Sequence, residues 1–276
     1  MKRGKIMKKI LIVGVNGGMG FATAKLFQQK GYEIWGLDCI AQPKDSFMHY
    51  VQTDITNLDS IIQAYEQIEP MVDAFDAIIH MAGIYMMDSL LEISDERMMK
   101  AFDVNYFGIY RINKVFLPLL KKGSRIIMTS SELAPLDPLP FNGLYSITKS
   151  TIEKYAFSLR MEVSLLGIQV SIIRPGAVQT SLLNTSLLEL ESFCNGTQLY
   201  GESSKKFQKI VSSVEAKHIS PEKVAQKAFR AVVSKHPRYI YNLNRNIGLR
   251  LLNFLPNRIQ VLLIHHLLNP SSNIKK

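Results

Sequence analysis

The stretch Ile10-Leu11-Ile12-Val13-Gly14-Val15-Asn16-Gly17-Gly18-Met19-Gly20 decides how this chain is read. Four consecutive apolar residues predict a buried strand, and the glycines after them predict a tight turn into a helix near 18–30. Glycine at such a turn lets backbone N–H groups approach a pyrophosphate, and the helix N-terminus adds positive potential. The next expected strand, Glu33–Leu37, runs into Asp38. A carboxylate about 20 residues past the glycines can accept hydrogen bonds from both ribose hydroxyls of an adenosine. The same charge repels a 2′-phosphate, so the pattern favours NAD over NADP. A structural turn followed by an exposed aspartate is the competing reading.

Further strands are expected at Tyr50–Thr53, Ala77–Met81, Arg125–Thr129, Gln169–Ile173 and Arg238–Tyr241. Helical segments near 57–68, 94–121 and 144–166 separate them, and Ser220-Pro221-Glu222 opens another with an N-cap serine and proline in the first turn. Lys30-Gly31 and Lys121-Lys122-Gly123 read as helix stops. This alternation predicts an α/β fold: a doubly wound, seven-stranded parallel sheet in three α/β/α layers, Rossmann-like, with a C-terminal helical extension. No repeat or linker divides the chain. One domain is expected over residues 1–276, with a core of about 8–245 and an extension of about 246–270.

The 276 residues are 47% hydrophobic and 20% charged, which excludes disordered and collagen-like chains. No apolar run approaches the roughly 20 residues that span a bilayer, so a soluble protein is expected. Cys39 and Cys194 form no CxxC pair, and the six histidines show no ligand spacing. Free thiols, no metal and a cytoplasmic location follow as expectations. The formal net charge of +10 raises a polyanion partner, but its placement argues otherwise. Residues 1–9 hold five basic and no acidic side chains, residues 201–276 hold 14 against three, and residues 10–200 hold 14 against 20. An acidic body with basic ends carries no module that tracks nucleic acid, so none is expected as a partner. The basic start is not read as a signal peptide, because four apolar residues are too few and no cleavage site follows. The first six residues are expected to be a weakly ordered extension.

A second chemical signal is Tyr145-Ser146-Ile147-Thr148-Lys149. Residues four apart share a helix face, so the ammonium can lower the phenol pKa from about 10 toward neutrality. The pair follows a strand ending in Thr129-Ser130-Ser131, which sets a serine hydroxyl across a sheet-edge crevice from the tyrosine.

Together these motifs resemble the short-chain dehydrogenase/reductase family over roughly residues 8–245. The family's T-G-x-x-x-G-x-G corresponds to Gly14, Gly18 and Gly20, with Val13 for the threonine and with Asn16, Gly17 and Met19 inside the cofactor turn. Its N-N-A-G appears as His80-Met81-Ala82-Gly83, of which Ala82 and Gly83 border the cofactor. The resemblance assigns a catalytic tetrad to Asn105, Ser131 (Ser130 as fallback), Tyr145 and Lys149. Arg174-Pro175-Gly176-Ala177-Val178-Gln179-Thr180 resembles P-G-x-V-x-T, placing Pro175, Gly176, Val178 and Thr180 at the nicotinamide. Asp54-Ile55 resembles the pair beside the adenine. The implied activity is hydride transfer between NAD(H) and a secondary alcohol or ketone. Tyr145 is the acid/base, Ser131 orients the oxygen, Lys149 binds ribose and Asn105 holds a water. A homodimer or homotetramer through the helices at 105–121 and 144–166 is also implied.

Two departures stand out. His80-Met81 removes amide groups that support the sheet in the family. Ser131 lies 14 residues before Tyr145 rather than 13, so the loop Pro135–Pro140 must bulge by one residue.

The region after Thr180, from Ser181-Leu182-Leu183 to Phe193, is leucine-rich and lies where the family lids its pocket. It suggests a steroid-, retinoid- or long-chain-like substrate; packing on the body is the plain alternative. Met86, Met87, Met98 and Met99 read as packing filler. Ile247–Leu268, interrupted by Pro256, reads as two short amphipathic helices. They could pack on their own domain, wall the pocket, join subunits or touch a membrane surface peripherally. Other functions remain open: an NAD(H)-binding regulator, or an epimerase or dehydratase of the extended relatives, since Gly14-x-x-Gly17-x-x-Gly20 can also be read.

Overall fold

A computed structural model describes residues 7–213 and 218–269. The first six residues, expected as an extension, lie outside this range, as do Glu215, Lys217, Lys275 and Lys276 of the basic end. Strands β1 (Lys9–Val13), β2 (Glu33–Asp38), β3 (His49–Gln52), β4 (Phe75–His80), β5 (Leu120–Thr129), β6 (Gln169–Pro175) and β7 (Ile240–Leu243) form one sheet in the order β3-β2-β1-β4-β5-β6-β7. Every pairing is parallel. The helices are α1 (Gly18–Gln29), α2 (Leu58–Ile68), α3 (Asp95–Phe102), α4 (Gly108–Val115), α5 (Gly143–Ser164), α6 (Ser181–Gly196), α7 (Gly201–Ser213), α8 (Pro221–Val233), α9 (Ile247–Asn253) and α10 (Asn257–Leu268).

Period-two alternation divides the core. Ile10 and Ile12 of β1 pack with Phe27 of α1 and Val224 and Ala228 of α8 on one face. Leu11 and Val13 pack with Ile61 of α2 and Ile112 of α4 on the other. Ile126, Ile152 and Val170 continue that second layer under α5. Strand order reverses at β1 and β4, and the crevice at their C-terminal ends is where an open α/β sheet holds ligands.

Three expectations need correction. The helix expected over 94–121 is broken into α3, a π-helical turn Asp103–Phe107 and α4, followed by a 3₁₀ turn Leu117–Leu119. Pro118 cannot continue the helical ladder. β5 therefore begins at Leu120, which pairs with Phe75, and Lys121-Lys122-Gly123 lies in the strand instead of closing a helix. β7 starts two residues later than expected, because Ile240 and Tyr241 are the residues that align with Ile172 and Ile173.

The sheet support expected to be lost at His80 is replaced. His80 Nε2 lies 2.8 Å from Asn113 Oδ1, and Asn113 Nδ2 donates to the Tyr155 hydroxyl at 3.2 Å, joining β4, α4 and α5. Burial lowers the His80 pKa to about 4, so the ring is neutral. The expected C-terminal helices are α9 and α10; Ile264 and Leu268 of α10 pack with Phe141, Phe193 and Phe207.

Candidate active site

At the end of β1, Gly14 has φ +82°, and a Cβ there would stand 2.5 Å from the Ala82 nitrogen. A Cβ on Gly20 would reach 2.0 Å from the Gly14 carbonyl oxygen. These two positions require glycine, and the turn they permit leads into α1, whose first turn has no acidic residue. Asp38 closes β2 beside it: the Asn16 N–H donates to Asp38 Oδ2 at 2.9 Å and the Ile40 N–H to Oδ1 at 3.3 Å. Two carboxylate oxygens offer about four acceptor sites, so capacity remains for ribose hydroxyls. This cradle and carboxylate suit a dinucleotide.

Other residues expected at the cofactor also make contacts within the chain. The Asn16 side chain donates to the Gln42 carbonyl at 2.9 Å and accepts from the Lys44 N–H at 2.9 Å, pinning the loop after β2. The Asp54 carboxylate accepts from the Thr56 N–H at 2.9 Å and its hydroxyl at 2.7 Å, shaping the turn before α2. Ile55 is core, and a Cβ on Gly108 would meet it at 2.7 Å.

A cavity of about 290 Å³ opens at the ends of β4, β5 and β6. Met19, Ala82, Gly83, Ser131, Tyr145 and Lys149 line it, and Pro175, Gly176, Val178 and Thr180 border it from β6 onward. A neighbouring cavity of about 250 Å³ is lined by Gly17, Gly18, Met19 and Thr180. A Cβ on Gly18 would meet Thr180 Cγ2 at 2.7 Å, so the two motifs touch across the cleft.

The two serines have separate employment. Ser130 Oγ donates to Glu153 Oε1 at 2.9 Å, and Glu153 also holds Arg174 of β6 through contacts of 2.5 and 2.6 Å. Ser131 Oγ accepts from the Leu133 N–H at 3.2 Å beside the cavity. Between Ser131 and Tyr145 the chain makes turns closing Ser131 to Ala134 and Leu133 to Leu136, with Phe141 at φ 64°.

Asn105 lies in the π-helical turn and is buried. It accepts from the Ile84 N–H at 2.9 Å and donates to the Ile84 carbonyl at 3.0 Å and to Thr148 Oγ1 at 3.1 Å. Both amide protons are engaged, so the side chain clamps the exit of β4 to the helix carrying Tyr145. Lys149 Nζ donates to the Thr129 carbonyl at 3.4 Å and stands 5.6 Å from the Tyr145 ring centroid.

The electrostatics differ from the expected shift toward neutrality. Burial pushes the Tyr145 phenol up to about 12, with the Ser131 hydroxyl acting in the opposite direction. Burial also pushes Lys149 down to about 8. The ammonium faces the ring, desolvation dominates both groups, and the phenol keeps its proton at neutral pH. A phenol in this state can donate a proton to an oxygen placed beside it.

Several lining residues were not anticipated. The Tyr85 ring lies 4.8 Å from that of Tyr145, and its place two residues past Gly83 was the available signal. Leu133, Leu139 and Leu249 add apolar wall, together with Leu182 and Leu183 of α6. Other α6 residues pack: Leu190 and Phe193 are buried. Glu189 anchors α6 to Arg97 at 2.8 Å. Of the four methionines, Met86 and Met87 are buried and Met98 packs, but Met99 is exposed. Among the described residues no group of three or more His, Cys, Asp or Glu could hold a metal.

A family model described as short chain dehydrogenase matches residues 8–190. A 3-ketodihydrosphingosine reductase of Bacteroides thetaiotaomicron is 26% identical over 231 residues, 83% of this chain and 85% of the relative. A short chain dehydrogenase of Burkholderia cenocepacia solved in complex with NADP superposes with a TM-score of 0.68 at 19% identity, covering 96% of this chain and 98% of its own. A 3-ketoacyl-(acyl-carrier-protein) reductase of Brucella melitensis complexed with NADH does so with 0.69 at 19% identity, covering 85% and 96%.

Proposed function

Because the chain belongs to the short-chain dehydrogenase/reductase family of oxidoreductases, we propose that it reduces a lipophilic ketone to a secondary alcohol with NADH. The observation that carries this reading is one cavity in which Ser131, Tyr145 and Lys149 meet walls built by Leu133, Leu139, Leu182, Leu183 and Leu249. A relative named 3-ketodihydrosphingosine reductase supports the substrate class.

The family binds NAD(P)(H), and the glycine turn with the first turn of α1 would hold the pyrophosphate. Asp38 would take the adenosine ribose hydroxyls and repel a 2′-phosphate. When bound, the nicotinamide supplies the hydride that reaches the carbonyl carbon. Ser131 donates a hydrogen bond to the substrate oxygen and fixes its position. Tyr145 gives its phenolic proton to that oxygen as negative charge develops. Lys149, still largely charged below pH 8, stabilises the phenolate left behind. Asn105 keeps Ile84 and Thr148 in place around them. In the oxidative direction the same phenol must first lose its proton.

We place this activity in a single catalytic domain, in the cytosol, where Cys39 and Cys194 stay free thiols. Among the described residues no helix is long and apolar enough to cross a membrane. Exposed Phe157, Met161 and Leu165 on and beside α5 support self-association through the α4 and α5 face.

The test is oxidation of NADH and of NADPH by purified protein with long-chain, steroid, short-chain and sugar ketones. NADH-dependent turnover of a lipophilic ketone is expected. NADH binding without turnover of any ketone would replace the reading with a regulatory one, and preference for NADPH would overturn the role of Asp38.

A further inference from the structure

From Lys223 to Lys276 the chain contains no aspartate or glutamate and ten lysines and arginines. Its last two described helices are built inside out on one side. α10 turns Gln260, Ile264 and Leu268, spaced four apart, toward the body. Its outer side carries Val261, Leu262 and Leu267, at 67%, 59% and 52% exposure. α9 does the same: Leu249 lines the cavity, while Ile247, Leu251 and Phe254, at 70%, 61% and 78%, face outward. A surface helix of a water-soluble protein normally presents polar residues there. Arg250 and Arg258 are exposed along the same helices.

We propose that the outer face of α9 and α10 docks on an anionic phospholipid surface, with Phe254 and Leu262 in the acyl boundary and Arg250 and Arg258 at the headgroups. Charge selects this occupant. Exposed leucines and arginines on two helices with no aspartate or glutamate of their own, beside the single carboxylate of Asp137 that Gln260 holds, complement an anionic lipid surface. A second copy of the chain joined face to face would set the cations of these two helices against one another. α9 is then a partition one helix thick: its inner residue Leu249 belongs to the cavity wall and its outer residues to the membrane. A ketone carried in the bilayer would have a short path to Tyr145. The proposal deepens the lipophilic-ketone reading and rests on it for the purpose of docking.

The test is flotation of the full-length protein with neutral phosphatidylcholine vesicles and with vesicles containing phosphatidylglycerol. Recovery on the anionic vesicles at low salt should exceed that on neutral ones by about tenfold or more, and high salt should remove most of it. Phe254→Glu/Leu262→Glu should lower recovery by at least about tenfold. The same variant should reduce a water-soluble ketone within about twofold of wild type, since neither residue lines the cavity. Arg258→Glu, a milder surface change, should lower recovery on anionic vesicles alone. Absent flotation, equal recovery on both vesicle types, or undiminished recovery of the double variant overturns the proposal. So does a dimer in sedimentation that the double variant dissolves while no vesicle binds, which would give the face to a second copy. Flotation requires no turnover: if no ketone is reduced but vesicles bind, the docking stands and the reductase reading fails.

Discussion

The Asn246 backbone N–H donates to the Glu132 carboxylate at 2.5 Å, one residue past Ser131, and so ties the C-terminal extension to the loop that holds Ser131. Asp137 repeats the tie, donating its N–H to Asn253 Oδ1 at 2.6 Å and accepting from Gln260 at 3.0 Å. Glu132→Ala should leave the Asn246 N–H without this partner and cost about 1–3 kcal/mol, measured by urea unfolding. Glu132→Gln keeps an acceptor and should cost less. In steady-state kinetics Glu132→Ala should raise KM for a lipophilic ketone more than it lowers kcat, and an unchanged KM would show that the extension does not shape the cavity.

The two adjacent serines should separate cleanly. Ser131→Ala removes the hydroxyl beside the cavity and should lower kcat by about 10²-fold with little change in melting temperature. Ser130→Ala breaks the link to Glu153 and should cost about 1–2 kcal/mol of stability while leaving most of the turnover. Kinetics and thermal unfolding on both variants check this, and a reversed pattern would move the catalytic role to Ser130.

Tyr145→Phe should bind NADH as wild type does, by fluorescence titration, yet lose at least about 10²–10⁴ in rate. For ketone reduction, kcat/KM should fall as pH rises through about 8, because Lys149 loses its charge there and the phenolate is no longer stabilised. Lys149→Arg, always charged, should be slower but should lack that fall. A profile flat to pH 10 in the wild type would contradict the buried-lysine assignment.

His80 gives a stability signature. Its folded pKa is about 4 against an ordinary 6.5, so the unfolded chain takes up the proton first as pH drops. The neutral, buried ring contributes fully above pH 6.5, and its contribution is lost as pH falls from 6.5 toward 4, by on the order of 3 kcal/mol. His80→Asn should be less stable at pH 7 and less sensitive over this interval. Chemical denaturation at pH 7, 5.5 and 4 measures the slope.

Residues whose meaning is local were legible before any coordinates. Ile10–Val13 followed by Gly14 and Gly20 carries strand, turn and helix in one stretch, because apolar runs and obligatory glycines depend on near neighbours. Tyr145 and Lys149 were legible because four residues make one helical turn. The break at Pro118 was available in the sequence but was outweighed by the helical pattern before it. Leu249 and the partner of Glu132 could not be found this way. Their roles depend on which distant elements the sheet brings to one edge, and no spacing along the chain records that Asn246 folds back on Glu132. The contacts of the Asn16 side chain with Gln42 and Lys44 are of the same distant kind.

The π-helical turn at Asp103–Phe107, where the Gly108 N–H reaches back five residues to the Asp103 carbonyl, gives the helical run between β4 and β5 one residue more than a regular helix would need. Asn105 is housed in that surplus. Deleting a single residue from 103–107 would therefore make the helix more regular and remove the turn in which Asn105 sits. The clamp on Ile84 would be lost while helical content stayed the same or rose. This stretch is one where a shorter chain is better folded locally and worse as an enzyme, so its length, as much as its composition, belongs to the site.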